Sequence, residues 1–262
     1  MSLPYAHLNV FARGPYSGNP CGVVLLEAWP DDATLFALTE ELRVPTAAFL
    51  VAQERGYALR WFEPPGPEVQ LCGHGTLAAA KALLDGWAPG ERATFETRHS
   101  GRLTVERDGE GFAVGLPCLP ARPVPEPRLV EEAVNAPVEE ALMAVKTLAV
   151  LPDAAAVRNA APRMDAIGGL PADGLLITAA GDEEGVDFVC RFFAPHRGVA
   201  EDTATGSAYC TLVPYWAARL GKTEFRARQL SPRGGEVFCA DLGDAVRVGG
   251  RVETLIEGRL DV

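Results

Sequence analysis

Two stretches of this sequence match one another across half its length, and that duplication constrains the fold more than any single residue does. RWFEPPGPEVQLCGHGTLAAAKALLDG runs from Arg60, and RFFAPHRGVAEDTATGSAYCTLVPYWAARLG runs from Arg191. Phe62 and Pro64 align with Phe193 and Pro195 at an offset of 131, and a two-residue insertion brings Gly73 onto Gly206 at an offset of 133. Each copy reads as an aromatic strand, a proline turn, an acidic loop, a glycine-containing turn and a helix, the pattern of a duplicated α+β unit. A chain of 262 residues has room for one large domain or for two of about 130. The repeat favours two, 1–119 and 120–262, parted near the proline-rich LPCLPARPVPEP at 116–127, with the final strand able to return to the first half.

Aliphatic and aromatic runs bounded by Gly, Pro and Asp predict strands within 5–12, 21–27, 47–54, 57–63, 92–117, 146–152, 173–180, 187–195, 225–231 and 244–262. Helices are expected at 31–43, 75–86 and 207–221, and a weaker one around 129–143. On the second helix of the repeat Val213, Trp216, Ala217 and Leu220 share a face, and on the first Leu77, Ala80 and Leu84 do. Both helices are apolar on their other faces too, which suggests a sheet wrapped around each. Pro214 falls inside the second pattern and should kink it or mark a late start, because it has no N–H to donate.

Charge and composition exclude several classes of function. With 24 Lys+Arg against 35 Asp+Glu the formal charge is -11, which argues against binding a phosphate backbone nonspecifically. No uncharged apolar run reaches the length of a membrane span, and the mean hydropathy is +0.05, so a soluble protein with no membrane partner is expected. The opening MSLPYAHLNVFARG lacks a secretory pattern, and a cytoplasmic location follows. The six cysteines are scattered through a chain able to fold on its core, so they read as small core residues.

Chemistry concentrates at the two helix starts. Cys72-Gly73-His74-Gly75-Thr76 precedes the first, and Glu201-Asp202-Thr203-Ala204-Thr205-Gly206-Ser207 the second. A helix N-terminus offers unpaired N–H donors and the positive end of a dipole, suited to a carboxylate or enolate oxygen. If the halves face one another, the two starts line a donor-rich cleft. His74 and Asp202 are the candidate proton carriers. The plainer alternatives are a packed or capping role for His74 and a helix cap for Asp202, and Cys72 is open to a lowered-pKa role or to simple burial. Thr205, Gly206 and Ser207 are candidate contacts to an oxyanion or carboxylate, and Asn19 in SGNPCG reads as a turn whose backbone could line the site. There is no phosphate-binding loop, HExxH, nucleophile elbow or dinucleotide fingerprint, and the four histidines lack ligand spacing, so neither cofactor nor metal is expected.

These segments, with VFARGPYSGNPCGVV, ELRVPTAAFL and RQLSPRGGEV, resemble the phenazine biosynthesis PhzF-like family, which has the diaminopimelate epimerase fold. The resemblance spans nearly the whole chain. It implies an α+β fold of two pseudo-symmetric domains, each a curled, mostly antiparallel, barrel-like sheet around a central helix, and a homodimer. It also implies cofactor-independent proton transfer on a small carboxylic acid by a glutamate, a histidine and an aspartate. The histidine carries over to His74, the aspartate to Asp202 and a small hydroxyl residue to Ser207; Gly73 and Gly75 flank the histidine. The glutamate does not carry over: Thr46 stands in its place, and threonine is no general base near neutral pH. Glu40 or Glu41 on the neighbouring helix could supply the carboxylate. Related racemases use one cysteine from each half; Cys72 matches the first, but Thr205 falls at the second. Three functions fit: an isomerase or epimerase-like enzyme, a noncatalytic ligand-binding or protein-interaction protein that kept the fold after losing its glutamate, or a lyase or hydrolase acting on a related acid.

Overall fold

The computed structural model describes residues 2–66 and 68–261. It divides into two compact units, one holding residues up to Gly115 together with those from Gly249 on, the other holding Leu116–Val248. The first unit contains β1 (Ser2–Val10), β2 (Asn19–Leu26), α1 (Asp32–Glu41), β3 (Ala47–Ala52), β4 (Tyr57–Phe62), β5 (Glu68–Val69), α2 (Gly73–Ala82), β6 (Arg92–Thr97), β7 (Arg102–Asp108) and most of β8 (Gly111–Pro117). The second contains β9 (Arg122–Pro123), α3 (Pro127–Val134), β10 (Glu140–Met143), β11 (Thr147–Val150), α4 (Ala154–Asn159), α5 (Met164–Ile167), β12 (Leu175–Ala180), β13 (Phe188–Ala194), β14 (Val199–Asp202), α6 (Tyr209–Leu220), β15 (Glu224–Gln229), β16 (Gly235–Asp241) and most of β17 (Ala245–Gly250). The last strand, β18 (Val252–Asp261), lies antiparallel along β1, with Ser2 opposite Asp261 and Val10 opposite Val252.

The duplication is visible strand for strand. In the first unit β1–β2 is antiparallel, β2–β3 parallel, β3–β4 antiparallel, β4–β6 parallel and β6–β7 antiparallel, with β5 laid antiparallel on the end of β4. In the second, β10–β11, β11–β12, β12–β13, β13–β15 and β15–β16 repeat the same succession of directions, with β14 on β13 in the place of β5. The repeat extends to a side-chain fork. Arg60 grips both carboxylate oxygens of Glu68 at 3.0 and 2.6 Å, and Arg191 grips those of Glu201 at 2.7 and 2.9 Å. Each guanidinium lies over a phenylalanine two residues on, Phe62 at 5.2 Å and Phe193 at 4.9 Å. Planar pairing and stacking of this kind is specific to arginine.

Each unit is organised around one helix. Nearly every residue of α2 is buried, and it packs against β1, β2, β3, β7 and β18, so no face is left for solvent. In α6, Trp216 stacks on Phe188 of β13 with centroids 5.6 Å apart and donates from Nε1 to Thr178 Oγ1 of β12 at 3.1 Å. Pro214 sits within α6, which starts before it at Tyr209. The helical bond it cannot make would have gone to the carbonyl of Cys210, and that oxygen is taken instead by the N–H of Leu119 at 2.8 Å.

The expected helix at 129–143 is shorter than its pattern. Asn135 adopts the left-handed conformation at φ 55°, ending α3 after Val134, and the following residues pair as β10. The expected start at 75 for the first repeat helix moves back to Gly73, because Cys72 acts as its N-cap. Helices α4 and α5 and strands β5, β9, β14 and β16 have no counterpart among the expected elements.

Candidate functional site

The cluster in the first unit is built at the junction of β3, β4 and α2. Ala47 pairs with Phe62 across β3 and β4, so Thr46 and Glu63, each one residue beyond that pair, project as cross-strand neighbours. Thr46 is buried, and its Oγ1 donates to Glu63 Oε1 at 3.0 Å. Cys72 Sγ caps α2 by accepting from the Gly75 N–H at 3.4 Å, lies 3.6 Å from Glu63 Oε1, and lies 3.3 Å from His74 Nδ1. The thiol thus stands between a carboxylate and an imidazole nitrogen. Glu63 thus brings a carboxylate within hydrogen-bond reach of position 46. Glu40 and Glu41 are exposed on α1.

Two nitrogens at this cluster, His74 Nε2 and Trp61 Nε1, are buried and find no hydrogen-bond partner among the described residues. Buried polar atoms are nearly always paired, so two such atoms beside a helix start are places where a ligand atom would be held. Gly75 is fixed by its surroundings: a Cβ there would meet Trp61 Cδ1 at 2.6 Å and Cys72 Sγ at 3.2 Å. Nearby Cys21 is a poor acid, since burial first and the Glu63 carboxylate second push its thiol well above the usual range. Asn19 is buried at the head of β2. One ligand-type atom from each of Glu63, Cys72 and His74 lies within 4.8 Å of the others, so this trio could also grip a soft divalent cation.

In the second unit Asp202 ends β14, and its Oδ2 accepts from Thr205 Oγ1 at 2.5 Å. Gln229, fully buried on β15, locks the loop between them. Its Oε1 accepts from the Thr205 N–H at 2.8 Å, and its Nε2 donates to the Asp202 carbonyl at 2.8 Å. Gly206 and Ser207 form a short 3-10 turn leading into α6. Ser207 Oγ accepts from Lys146 Nζ at 3.1 Å. Burial lifts the Cys210 thiol to about 11, against a smaller opposing pull from Lys146, so it is no ready base.

Each unit thus gathers the residues expected of it: Thr46, Cys72, Gly73, His74 and Gly75 in one, Asp202, Thr205, Gly206 and Ser207 in the other. Glu63, Gln229 and Lys146 are the additions. Glu63 had a signal, since the duplicate position in the second copy is Ala194 and a carboxylate there serves no repeat-wide purpose. Gln229 and Lys146 stand inside strand patterns that do not mark them.

Residues 8–258 match the family model described as phenazine biosynthesis-like protein, PhzC-PhzF. Two proteins of Pseudomonas aeruginosa, each described as an uncharacterized isomerase, are 39% and 40% identical, with 99% of this chain and 99% of each relative covered. A crystal structure of a phenazine biosynthesis protein PhzF family member from Enterococcus faecalis superposes with a TM-score of 0.94 at 34% identity, covering 100% of both chains. Among the described residues no helix is long and apolar enough to cross a membrane.

Proposed function

Because the chain belongs to the PhzC-PhzF family of phenazine biosynthesis-like proteins, we propose that it is a cofactor-independent isomerase that moves a proton on a small carboxylic acid, with Glu63 as the carboxylate of its acid–base set. The observation that carries this reading is the contact of Glu63 with Thr46 and Cys72, and of Cys72 with His74. The Glu63 carboxylate removes a proton from a carbon next to an acid group. The C–H bond breaks, its electron pair passes into the conjugated acid as an enolate, and the proton resides on Glu63. Its return to a different carbon, or to the other face, completes the isomerisation. His74 and Cys72 are the partners that can carry it, and the positive end of the α2 dipole at Gly73 favours the enolate oxygen.

Asp202 is retained as a second proton-handling carboxylate, and Asn19, Thr46, Thr205, Gly206 and Ser207 as substrate contacts, on the strength of the family resemblance. A homodimer and a cytosolic setting belong to the same reading. The alternative of a noncatalytic binder rests on a missing carboxylate, and Glu63 removes that motive. The test is exchange of substrate C–H protons with deuterated solvent, screened over small amino, hydroxy and unsaturated acids. Exchange that disappears in Glu63→Gln and His74→Ala supports the proposal; a panel in which nothing exchanges above background ends it.

A further inference from the structure

The second unit holds an ammonium group that its own fold does not neutralise. Lys146, immediately before β11, is only 7% exposed. Its Nζ donates to Ser207 Oγ at 3.1 Å and lies 5.0 Å from the centre of the Phe192 ring. An ammonium has three N–H donors, and among the described residues Ser207 receives the one hydrogen bond it makes. No carboxylate among the described residues comes within ion-pair distance. Of the two acids that face it from further off, Asp173 is engaged by His196 and Arg197, and Asp202 Oδ2 by Thr205. Arg197 and Cys210 complete its charged and titratable surroundings.

Burying a cation without a counter-charge is among the costliest arrangements a fold can keep, and a methionine would fill the same space at no such cost. Burial accordingly pulls the amine below its usual basicity, a pull that Asp173 opposes most. Ser207 accepts from Lys146, which leaves its own hydroxyl proton free to point at something else. One cation and one free O–H donor, side by side where the chain enters α6, match the two oxygens of a carboxylate. A phosphate dianion fits less well, because Asp173 and Asp202 also face this position.

We propose that Lys146 and Ser207 form a carboxylate-binding subsite, with Nζ providing the charge and Oγ the second hydrogen bond. That the carboxylate is the substrate's rests on the isomerase reading above; that the pair binds a carboxylate does not. A cation on this group would also lower the energy of the extra negative charge that develops when the neighbouring carbon loses its proton.

The experiment uses the full chain with lysine side chains labelled with carbon-13 and nitrogen-15, titrated with malonate and, separately, with inorganic phosphate. The subsite predicts that malonate shifts the Lys146 side-chain signal and that Lys146→Met weakens malonate binding by about tenfold or more, with a smaller loss in Ser207→Ala. Melting curves of the Lys146→Met protein check that it is folded. Malonate binding unchanged by Lys146→Met, or absent from the wild type, overturns the subsite, and phosphate binding tighter than malonate overturns its assignment to carboxylates. The two readings separate cleanly. Malonate binding that survives in a protein with no deuterium exchange sinks the isomerase and leaves the subsite; exchange with an unchanged KM in Lys146→Met does the reverse.

Discussion

Thr46 and Glu63 face each other across the ends of β3 and β4, joined by a hydrogen bond of 3.0 Å. Cross-strand neighbours share one patch of space, so a carboxylate on either strand reaches nearly the same point. The pair therefore predicts exchangeability. Glu63→Thr should lower turnover by about 10²–10⁴-fold, the usual worth of a positioned base. Adding Thr46→Glu to that variant should restore a large part of it. Thr46→Glu alone would crowd two carboxylates within hydrogen-bond reach, raise the pKa of one, and shift the pH profile of kcat/KM upward. Steady-state rates across pH for the three variants check this.

Glu63, Cys72 and His74 converge closely enough to bind a metal, yet the proposed chemistry needs them free. Chelators should leave activity unchanged, whereas Zn²⁺ should inhibit by occupying the proton-handling atoms. Cys72→Ser should weaken that inhibition by about tenfold, because thiolate is the softest donor of the three. Inhibition curves with and without EDTA decide it.

Gly75→Ala should destabilise the protein by about 1–3 kcal/mol, since the new methyl meets the Trp61 ring and the Cys72 sulfur in a closely packed core. Urea unfolding gives the value. His74 sits one residue away, so activity should fall by more than stability alone explains.

The duplicated forks predict unequal costs. Arg191→Ala strands Glu201, whose side chain is 16% exposed, whereas Arg60→Ala leaves Glu68 still paired with Arg98 at 2.9 Å. The first should cost about 3–5 kcal/mol and the second less, while replacing both Arg191 and Glu201 with Met and Leu should cost far less than Arg191→Ala alone. Comparing single and double variants by denaturation separates the value of the pair from the penalty of an abandoned charge.

Lys146 ties stability to pH. Burial depresses its folded pKa below the ordinary 10.5, with Asp173 the main opposing influence, so the unfolded chain holds this proton more tightly than the folded one. Stability should then rise with pH between the depressed folded value and 10.5, and Lys146→Met should remove that slope. The variant should be more stable than wild type by about 1 kcal/mol or more near neutrality, with the difference shrinking as pH approaches the unfolded value. Denaturation at the two ends of that window tests the sign.

The duplication was readable from Arg60 and Arg191 onward because each copy keeps the residues of one physical unit: the forked arginine, the phenylalanine beneath it, the acidic partner and the helix. The glycine-flanked His74 and the Asp202–Ser207 stretch were readable for the same reason, as variations on a repeated frame. Glu63 was harder, since its meaning depends on pairing with a residue seventeen positions earlier, and strand register is not written in composition. Gln229 and Lys146 act through contacts with loops far along the chain. A buried polar residue in a strand pattern looks like noise until its partners are known. Asn135 misled for a local reason: an apolar period continued past it, but its left-handed backbone had already closed the helix.

The last strand has a consequence for how the protein is made. Because β18 completes the sheet begun by β1, the unit whose synthesis starts first is the last to receive all its strands. Residues 116–248 emerge as an unbroken segment and can pack while the earlier unit still waits with one flank of β1 unpaired. During translation that open edge is a site for mispairing with a neighbouring chain until β18 arrives.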